Sequence, residues 1–335
     1  MTTQTKKVAV IGAGAWGTAL ARLLAKKGNQ VFLWFYDEQT MIEAKTTGNN
    51  PFLPGFSLDG LELTNSLQEA VSDSEIIVLA NPAQSNRKIL NELKPFLTAE
   101  AKIINVSKGI ELDSFSLMSD VISEVLPEKA KMTCYLSGPS FAKEVAEEKI
   151  TIVSLAATDL TLAKEMQKFL ATKYFRPYAC GDIIGVQIGG AVKNVIAVAS
   201  GIVAGLAEGE NAKAALITRG LAEICRLGLA LGAQKETFIG SAGVGDLILT
   251  AGSDHSRNYS FGLDIGRGQN PLELIRTSKK VVEGYWTTKA VWQKAQGLKI
   301  DMAITNELYK ILFENKDPRL AIESLMERDL KDEII

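Results

Sequence analysis

Residues 7–21 read KVAVIGAGAWGTALA, in which an apolar run is followed by glycines at positions 12, 14 and 17 and then by both polar and apolar residues. Residues 7–11 are short, apolar and rich in β-branched side chains, which predicts a buried strand. Apolar residues at helical spacing over 18–27, ended by Gly28, predict a helix. A second apolar run at 31–35 predicts another strand. The order strand, Gly-x-Gly-x-x-Gly, helix, strand within ~30 residues is typical of a dinucleotide-binding fold.

Each glycine of this motif has its own physical task. Gly12 permits the tight turn, Gly14 lets the backbone approach a pyrophosphate, and Gly17 lets the helix lie close to the strand. The helix N-terminus then offers free N–H groups and a partial positive charge to the phosphates. Asp37 follows about 20 residues later, where an acidic side chain holds the ribose 2′-hydroxyl. Residues 28–44 contain no Lys or Arg, which favours NAD over NADP.

The composition narrows the possible chemistry. The 335 residues include one histidine and three cysteines, and no Cys-x-x-Cys pair occurs. This excludes a zinc site of clustered His and Cys, so no metal is expected, and it leaves Lys, Asp, Glu or Tyr as the proton carrier of an enzyme. A net charge of −2 without a basic excess argues against nucleic acid as a partner. The few, scattered cysteines suit a reducing, cytoplasmic location.

The rest of the first half continues the alternation of strands and helices. Further strands are predicted at 75–80, 102–107, 132–136, 151–156 and 175–179. Ligands of a parallel α/β sheet lie beyond the carboxyl ends of its strands, so Asn81, Lys108 and Ser140 are expected in one crevice. Residues 49–60, rich in proline, glycine and aromatics, predict a loop that covers this crevice.

The second half predicts helices and no strand. We therefore predict an α/β fold with an N-terminal Rossmann-type doubly wound sheet, the dinucleotide-binding domain of residues 1–182. An all-α, substrate-binding domain of residues 183–335 follows, which agrees with about two domains for this length. Its helices are predicted at 183–206, 211–231, 271–277, 287–294 and 304–314.

Two apolar segments resemble membrane-directed sequences. The run from Val8 to Leu24 has the features of a secretory signal, but its glycine motif favours the nucleotide-binding interpretation. Residues 183–207 are long enough to cross a bilayer. They carry Lys193 and five glycines, however, and a lysine at mid-bilayer costs at least ~2.5 kcal/mol. We expect a buried core helix and no membrane contact.

Lys193 is the most informative residue of the second half. It lies in GGAVKNVI, residues 189–196, among small and apolar neighbours. Desolvation there would lower its pKa and make it a usable acid or base, unless the side chain reaches the surface. Asp246 ends a second glycine-rich loop, where it either caps the next helix or places a carboxylate near Lys193.

The segment Ser256-Arg257-Asn258 begins another predicted helix. Ser256 is a suitable N-cap, while Arg257 and Asn258 offer a guanidinium fork and an amide at a helix start. This combination suits a phosphate group. The alternative is an ordinary capped helix with an exposed arginine.

Several segments together resemble the bacterial type of NAD(P)-dependent glycerol-3-phosphate dehydrogenase. The resemblance extends from about residue 7 to residue 330. The segments are VIGAGAWGTAL (10–20), KG (108–109), SGPSFAKE (137–144), GGAVKNV (189–195), residues 212–223 with TRG at 218–220, GVGD (243–246), SRN (256–258) and VVEGY (281–285).

The resemblance implies reversible hydride transfer between NAD(P)H and C2 of dihydroxyacetone phosphate, which gives sn-glycerol 3-phosphate for glycerophospholipid synthesis. It makes Lys193 the proton acceptor in alcohol oxidation and the donor in ketone reduction. The substrate residues that it implies are Lys108, Gly138, Ser140, Lys193, Asp246, Ser256, Arg257 and Asn258. The cofactor residues are Gly12, Gly14, Ala15, Trp16, Gly17, Tyr36, Lys108, Ala142, Arg257, Val281 and Glu283.

The chain departs from the family pattern at two positions. Tyr36 stands where the family often has Arg or His, so the resemblance leaves the choice between NAD and NADP open. Asn81 stands where a small apolar residue is common. His255, beside the expected phosphate site, is interpreted as a loop neighbour and not as a catalyst.

Two other functions remain possible at this point. A related two-domain ketoacid reductase of the ketopantoate reductase type would share the plan but would not need the phosphate site at Arg257 and Asn258. A non-enzymatic nucleotide-binding redox sensor would not need a desolvated Lys193. The apolar helical half also makes a homodimer plausible.

Overall fold

The computed structural model describes residues 5–112, 114–278, 281–330 and 332–333. Its strands are β1 (Lys7–Ile11), β2 (Gln30–Trp34), β3 (Asn49–Asn50), β4 (Leu53–Ser57), β5 (Leu61–Thr64), β6 (Ile76–Leu79), β7 (Lys102–Asn105), β8 (Thr133–Ser137), β9 (Thr151–Ala156) and β10 (Phe175–Cys180). The helices of the same half are α1 (Ala15–Lys26), α2 (Glu38–Thr47), α3 (Leu67–Val71), α4 (Asn86–Leu93), α5 (Met118–Val125), α6 (Ala142–Ala146) and α7 (Leu160–Leu170).

Eight of these strands form one twisted sheet with helices on both faces. The order is β10-β9-β8-β7-β6-β1-β2-β5, with β1 between β6 and β2. The predicted Rossmann-type fold is therefore confirmed. The sheet is not wholly parallel, however, because β9 runs antiparallel to β8. The connection over residues 138–150 contains only the short helix α6. A parallel crossover usually needs a longer helix, so after this short connection β9 enters the sheet in the opposite direction.

The segment over residues 49–60 is more ordered than the predicted loop. Strands β3 and β4 pair antiparallel there, and β5, which the sequence did not predict, pairs with β2 at the sheet edge. Asn50 explains the order, since its buried Nδ2 donates to Ala13 O and Thr18 Oγ1, both at 2.8 Å. The loop prediction was wrong. Proline and glycine are typical of loops, but this segment forms a hairpin whose Asn50 is hydrogen-bonded to the glycine motif. That this segment covers the crevice stays a prediction.

The described residues of the second half form helices and connecting loops, with no strand after β10. Its helices are α8 (Ile183–Gly205), α9 (Glu210–Ala230), α10 (Lys235–Phe238), α11 (Asp246–Ala251), α12 (Arg257–Gly266), α13 (Pro271–Thr277), α14 (Glu283–Leu298), α15 (Ala303–Phe313) and α16 (Pro318–Met326). Helix α14 begins four residues before its predicted start and α16 was not predicted, whereas the helices near 183–206 and 211–231 agree with the prediction.

Helix α8 is the core of this half. Among the described residues it is the one helix that is long and apolar enough to cross a membrane, yet 89 % of its most apolar window is buried within the protein. Close backbone contact explains its glycines. A Cβ on Gly201 would lie 2.0 Å from the carbonyl oxygen of Tyr259, and one on Gly262 of α12 would lie 2.0 Å from that of Val198. Burial of this kind is typical of a core helix.

Candidate active site

The glycine motif between β1 and α1 has the shape that a dinucleotide requires. Gly12 adopts φ +117°, and a Cβ there would lie 2.8 Å from the backbone of Ala80 and Asn81. A Cβ on Gly17 would lie 1.9 Å from the Gly12 oxygen, so these two glycines are fixed by packing. At Gly14, apart from its chain neighbours, no atom of the described residues lies within 4 Å of an added Cβ. The open side of the motif is therefore the side where a pyrophosphate would approach the α1 N-terminus.

Two predicted cofactor residues hold buried polar atoms without a partner among the described residues. These atoms are Nε1 of Trp16 and Oε2 of Glu283. Burial raises the pKa of Glu283 to about 7, although the Ala83 N–H and the charge of Arg257 oppose the rise. Buried polar groups are normally hydrogen-bonded, so an exception calls for an explanation. The residues present thus fit a polar ligand such as a dinucleotide.

A buried carboxylate lies at the centre of the site. Asp246 is the first residue of α11, directly after the tight π-helical turn Ser241–Gly245, and it is 1 % exposed. Its Oδ1 accepts a hydrogen bond from Nζ of Lys193, and its Oδ2 accepts from Nζ of Lys108 at 2.7 Å. The backbone N–H of Gly138 also donates to Oδ2, at 3.2 Å. Asp246 therefore joins two lysines, and the alternative of a simple helix cap is wrong.

Burial and neighbouring charges shift the pKa values of both Lys193 and Asp246. Burial lowers the pKa of Lys193 to about 7, while the Asp246 charge raises it and the Lys108 charge lowers it further. Burial alone would raise the pKa of Asp246, but the two lysines outweigh burial and hold that pKa below its usual range. Lys193 can therefore gain or lose its proton near neutral pH, while the neighbouring Asp246 carboxylate stays ionised. The predicted desolvation of Lys193 is confirmed, since the residue is 6 % exposed.

Thr250 completes the contacts of Lys193. Its Oγ1 accepts from the Lys193 Nζ at 2.8 Å, and it lies one helical turn after Asp246 on α11. Residues at positions i and i+4 lie on one face of a helix. Once Asp246 is placed near Lys193, the contact between Thr250 and Lys193 can therefore be predicted from the sequence. Thr250 was not among the predicted site residues.

The loops that follow β7 and β8 meet beside Asp246. Gly138 adopts φ +142°, and a Cβ there would lie 2.8 Å from the Val153 Cα. Its carbonyl accepts from the Lys108 Nζ at 3.0 Å and from the Ser140 hydroxyl at 2.9 Å. Asn81 lies close by, because its carbonyl accepts from Ser107, the neighbour of Lys108, at 2.6 Å. The structure thus brings together the crevice residues expected from the strand ends.

The start of α12 is joined to two other helices. The Ser256 hydroxyl caps α12 by accepting from Tyr259 N at 3.3 Å. Asn258 donates from Nδ2 to Asn194 Oδ1 at 2.9 Å and accepts at Oδ1 from Gly284 N at 2.8 Å. This bridge, which the sequence reasoning missed, connects the neighbour of Lys193 with the neighbour of Glu283. Arg257 stays exposed at the same helix start.

The remaining predicted cofactor residues lie around the glycine motif and at helix starts. Ala15 and Ala142 begin α1 and α6, which pack against each other. Tyr36 follows β2 and Val281 precedes α14, and both side chains are exposed. His255 is also exposed, with its ring edge-on to Phe141 at 5.9 Å.

Comparison with known proteins gives consistent relatives over nearly the whole chain. Two family models match, the N-terminus of NAD-dependent glycerol-3-phosphate dehydrogenase over residues 7–163 and its C-terminus over residues 182–323. Glycerol-3-phosphate dehydrogenase [NAD(P)+] of Geobacter metallireducens is 48 % identical over 98 % of this chain and 99 % of its own. The corresponding protein of Geobacter sp. strain M21 is 46 % identical over the same shares.

A solved structure agrees with these relatives. The crystal structure of glycerol-3-phosphate dehydrogenase from Coxiella burnetii superposes with a TM-score of 0.92 at 37 % identity, over 97 % of this chain and 99 % of that one.

Proposed function

The chain belongs to the NAD-dependent glycerol-3-phosphate dehydrogenase family, and we propose that Lys193 is the residue that carries the proton in its reaction. The reaction is a reversible hydride transfer between NAD(P)H and dihydroxyacetone phosphate that gives sn-glycerol 3-phosphate. The bound nicotinamide supplies or accepts the hydride. A ketoacid reductase and a redox sensor are not favoured, because the family models and the relatives agree on the dehydrogenase.

The buried pair of Lys193 and Asp246 carries this proposal. In ketone reduction the Lys193 ammonium gives a proton to the oxygen at C2, and in alcohol oxidation the neutral amine takes that proton back. A group works best in both directions when its pKa lies near the working pH, and the Lys193 pKa is lowered to about 7. An ammonium has three N–H donors. Among the described residues Asp246 and Thr250 accept two of them, which leaves the third for the substrate oxygen.

Asp246 and Lys108 prepare the site for this transfer. Asp246 holds Nζ of Lys193 at a fixed place, as a preorganised donor requires. Lys108, tied to Gly138 and Asp246, adds positive charge beside the position where charge develops on the substrate oxygen. We propose that Lys108 contacts both substrate and cofactor, and that Gly138 and Ser140 line the substrate side.

We propose that the start of α12 receives the substrate phosphate. Arg257 is exposed as a residue, and its guanidinium can form two parallel hydrogen bonds to phosphate oxygens. Ser256 and Asn258 flank it, and the N–H groups of the first helical turn face the same region. The bridge from Asn258 to Asn194 fixes the distance between this phosphate site and the proton carrier.

We also propose how the cofactor and the two halves are arranged. The residues that would hold NAD or NADP are Gly12, Gly14, Ala15, Trp16, Gly17, Tyr36, Lys108, Ala142, Arg257, Val281 and Glu283.

Residues 1–182 would form the dinucleotide-binding domain and residues 183–335 the substrate-binding domain. A cytoplasmic homodimer without membrane or nucleic-acid partners is the assembly that we expect.

Steady-state kinetics with Lys193→Ala tests the proposed role of Lys193. We expect kcat for dihydroxyacetone phosphate reduction to fall by about 10²–10⁴, the usual contribution of a positioned acid or base. The NADH affinity should remain close to that of the wild type. His255→Gln is the control, because its side chain is exposed and should retain most activity. A Lys193→Ala enzyme with the wild-type kcat would refute the assignment.

A further inference from the structure

Tyr36 lies where a dinucleotide fold receives the adenine ribose. It follows β2, and residues just beyond this strand face the ribose 2′ position. The Tyr36 side chain is 74 % exposed. Its ring meets Trp34 edge-on at 6.1 Å between centroids, and Trp34 is itself held by a 3.0 Å hydrogen bond to the Asn65 carbonyl. The ring thus has a fixed neighbour on the protein side, while most of its surface faces solvent.

Lys88 reaches this ring from a distant part of the chain. It lies in the first turn of α4, after β6, and only β1 separates β6 from β2 in the sheet. Its Nζ is 5.6 Å from the centroid of the Tyr36 ring, within the range of a cation–π contact. Because residues 28–44 contain no Lys or Arg, the segment around Tyr36 supplies no cation of its own. The fold brings one there.

Two carboxylates are relevant to this proposal, Glu92 beside Lys88 on α4 and Asp37 next to Tyr36 in the chain. Glu92, one turn along α4, lies 3.8 Å from the Lys88 Nζ, and both side chains are exposed. An exposed pair of this kind contributes little and exchanges readily for a stronger partner. The Asp37 Oδ2 accepts from Thr40 N and Oγ1, both at 2.6 Å, and these hydrogen bonds lower the Asp37 pKa. The described residues donate no hydrogen bond to Oδ1 of Asp37, so this oxygen can meet a ribose hydroxyl.

From this juxtaposition we propose that Lys88 is the specificity-determining residue for the 2′-phosphate of NADP(H). The proposal rests on the proposed function only for the class of cofactor. A lysine amine on its flexible four-carbon stem can move from the Tyr36 ring to a phosphate without a change of backbone. A charge-assisted hydrogen bond to a phosphate is stronger than the exposed pair with Glu92. With NAD(H), Asp37 meets the 2′-hydroxyl, so the chain accepts both cofactors.

Isothermal titration with two nucleotides tests the proposal directly. Adenosine 2′,5′-bisphosphate and 5′-AMP differ only in the 2′-phosphate. Lys88→Gln should weaken the bisphosphate relative to 5′-AMP by about tenfold, or ~1.4 kcal/mol. Lys88→Arg should keep most of the preference. Lys164→Gln is the matched control, because this exposed lysine lies on α7 beside β10, at the far end of the sheet from β2.

Two results would overturn the proposal. An equal loss of affinity for both nucleotides would make Lys88 a general contact of the adenosine. An unchanged bisphosphate affinity in Lys88→Gln would show that Lys88 does not meet the phosphate. The titration requires no ketone and no turnover, so a failure of the proposed proton transfer would not change its outcome.

Discussion

Lys193 and Asp246, 53 residues apart in the chain, form an ion pair whose side chains are only 8 % and 1 % exposed. The pair lies between α8, the core helix of the second half, and α11, which begins at Asp246. Asp246 also binds Lys108, which follows β7 of the sheet. One carboxylate thus connects the helical half with the eight-stranded sheet, at the point where the substrate should lie.

Replacement of Asp246 by asparagine should disable Lys193 without removing it. The Asp246 charge raises the Lys193 pKa against burial, so without that charge the Lys193 pKa should fall below about 7. We expect the reduction rate at neutral pH to fall by about 10² or more. The pH at which reduction declines should move downward, and initial-rate profiles measure both effects. Asp329→Asn, at an exposed position, is the control. An unchanged profile in Asp246→Asn would contradict the role given to the pair.

Thr250 should act as a positioning residue for the amine. Thr250→Val keeps the side-chain shape but removes the oxygen that accepts from the Lys193 Nζ at 2.8 Å. A hydrogen bond to a charged group contributes ~1.5–3 kcal/mol, so we expect kcat to fall about tenfold or more. KM for dihydroxyacetone phosphate should change little, and Thr250→Ser should restore most of kcat. A loss that Thr250→Ser does not restore would indicate a packing role.

The glycine motif offers a test that separates folding from cofactor binding. The Cβ of an alanine at position 14 would meet no described residue beyond its chain neighbours within 4 Å. Gly14→Ala should therefore fold normally but bind NADH more weakly, because the phosphates need that space. An alanine at Gly17 would place its Cβ 1.9 Å from the Gly12 oxygen, so Gly17→Ala should lose ~1–3 kcal/mol of folding stability. Thermal unfolding and NADH titration of both variants distinguish these effects. The motif would not be a pyrophosphate site if Gly14→Ala bound NADH as the wild type does.

Local patterns were sufficient to predict the parts of the site that depend on neighbours in the chain. The glycines at 12, 14 and 17 and the desolvated Lys193 follow from sequence spacing and from apolar surroundings. The resemblance to a family added Asp246 as a substrate residue, but nothing local shows that its carboxylate faces both lysines. That arrangement needs the tight turn Ser241–Gly245 and the packing of α11 on α8.

The incorrect or missing predictions share one physical cause. The hairpin near Asn50 depends on hydrogen bonds to Ala13 and Thr18, which no short window of sequence contains. The antiparallel direction of β9 depends on the short connection between β8 and β9. Helix α14 begins at Glu283 because Gly284 can approach the backbone of α8, where a Cβ would lie 2.6 Å from the Asn194 oxygen. Tertiary contacts decided each case.

The central claim, that Lys193 exchanges the proton, is tested most directly by initial rates in both directions as a function of pH. Reduction of dihydroxyacetone phosphate needs the ammonium, so its kcat/KM should decline as pH rises through the Lys193 pKa of about 7. Oxidation of sn-glycerol 3-phosphate needs the neutral amine, so its kcat/KM should rise over the same interval. Opposite slopes with a shared midpoint are the predicted result. Profiles that rise or fall together, or that show no inflection near 7, would contradict the account.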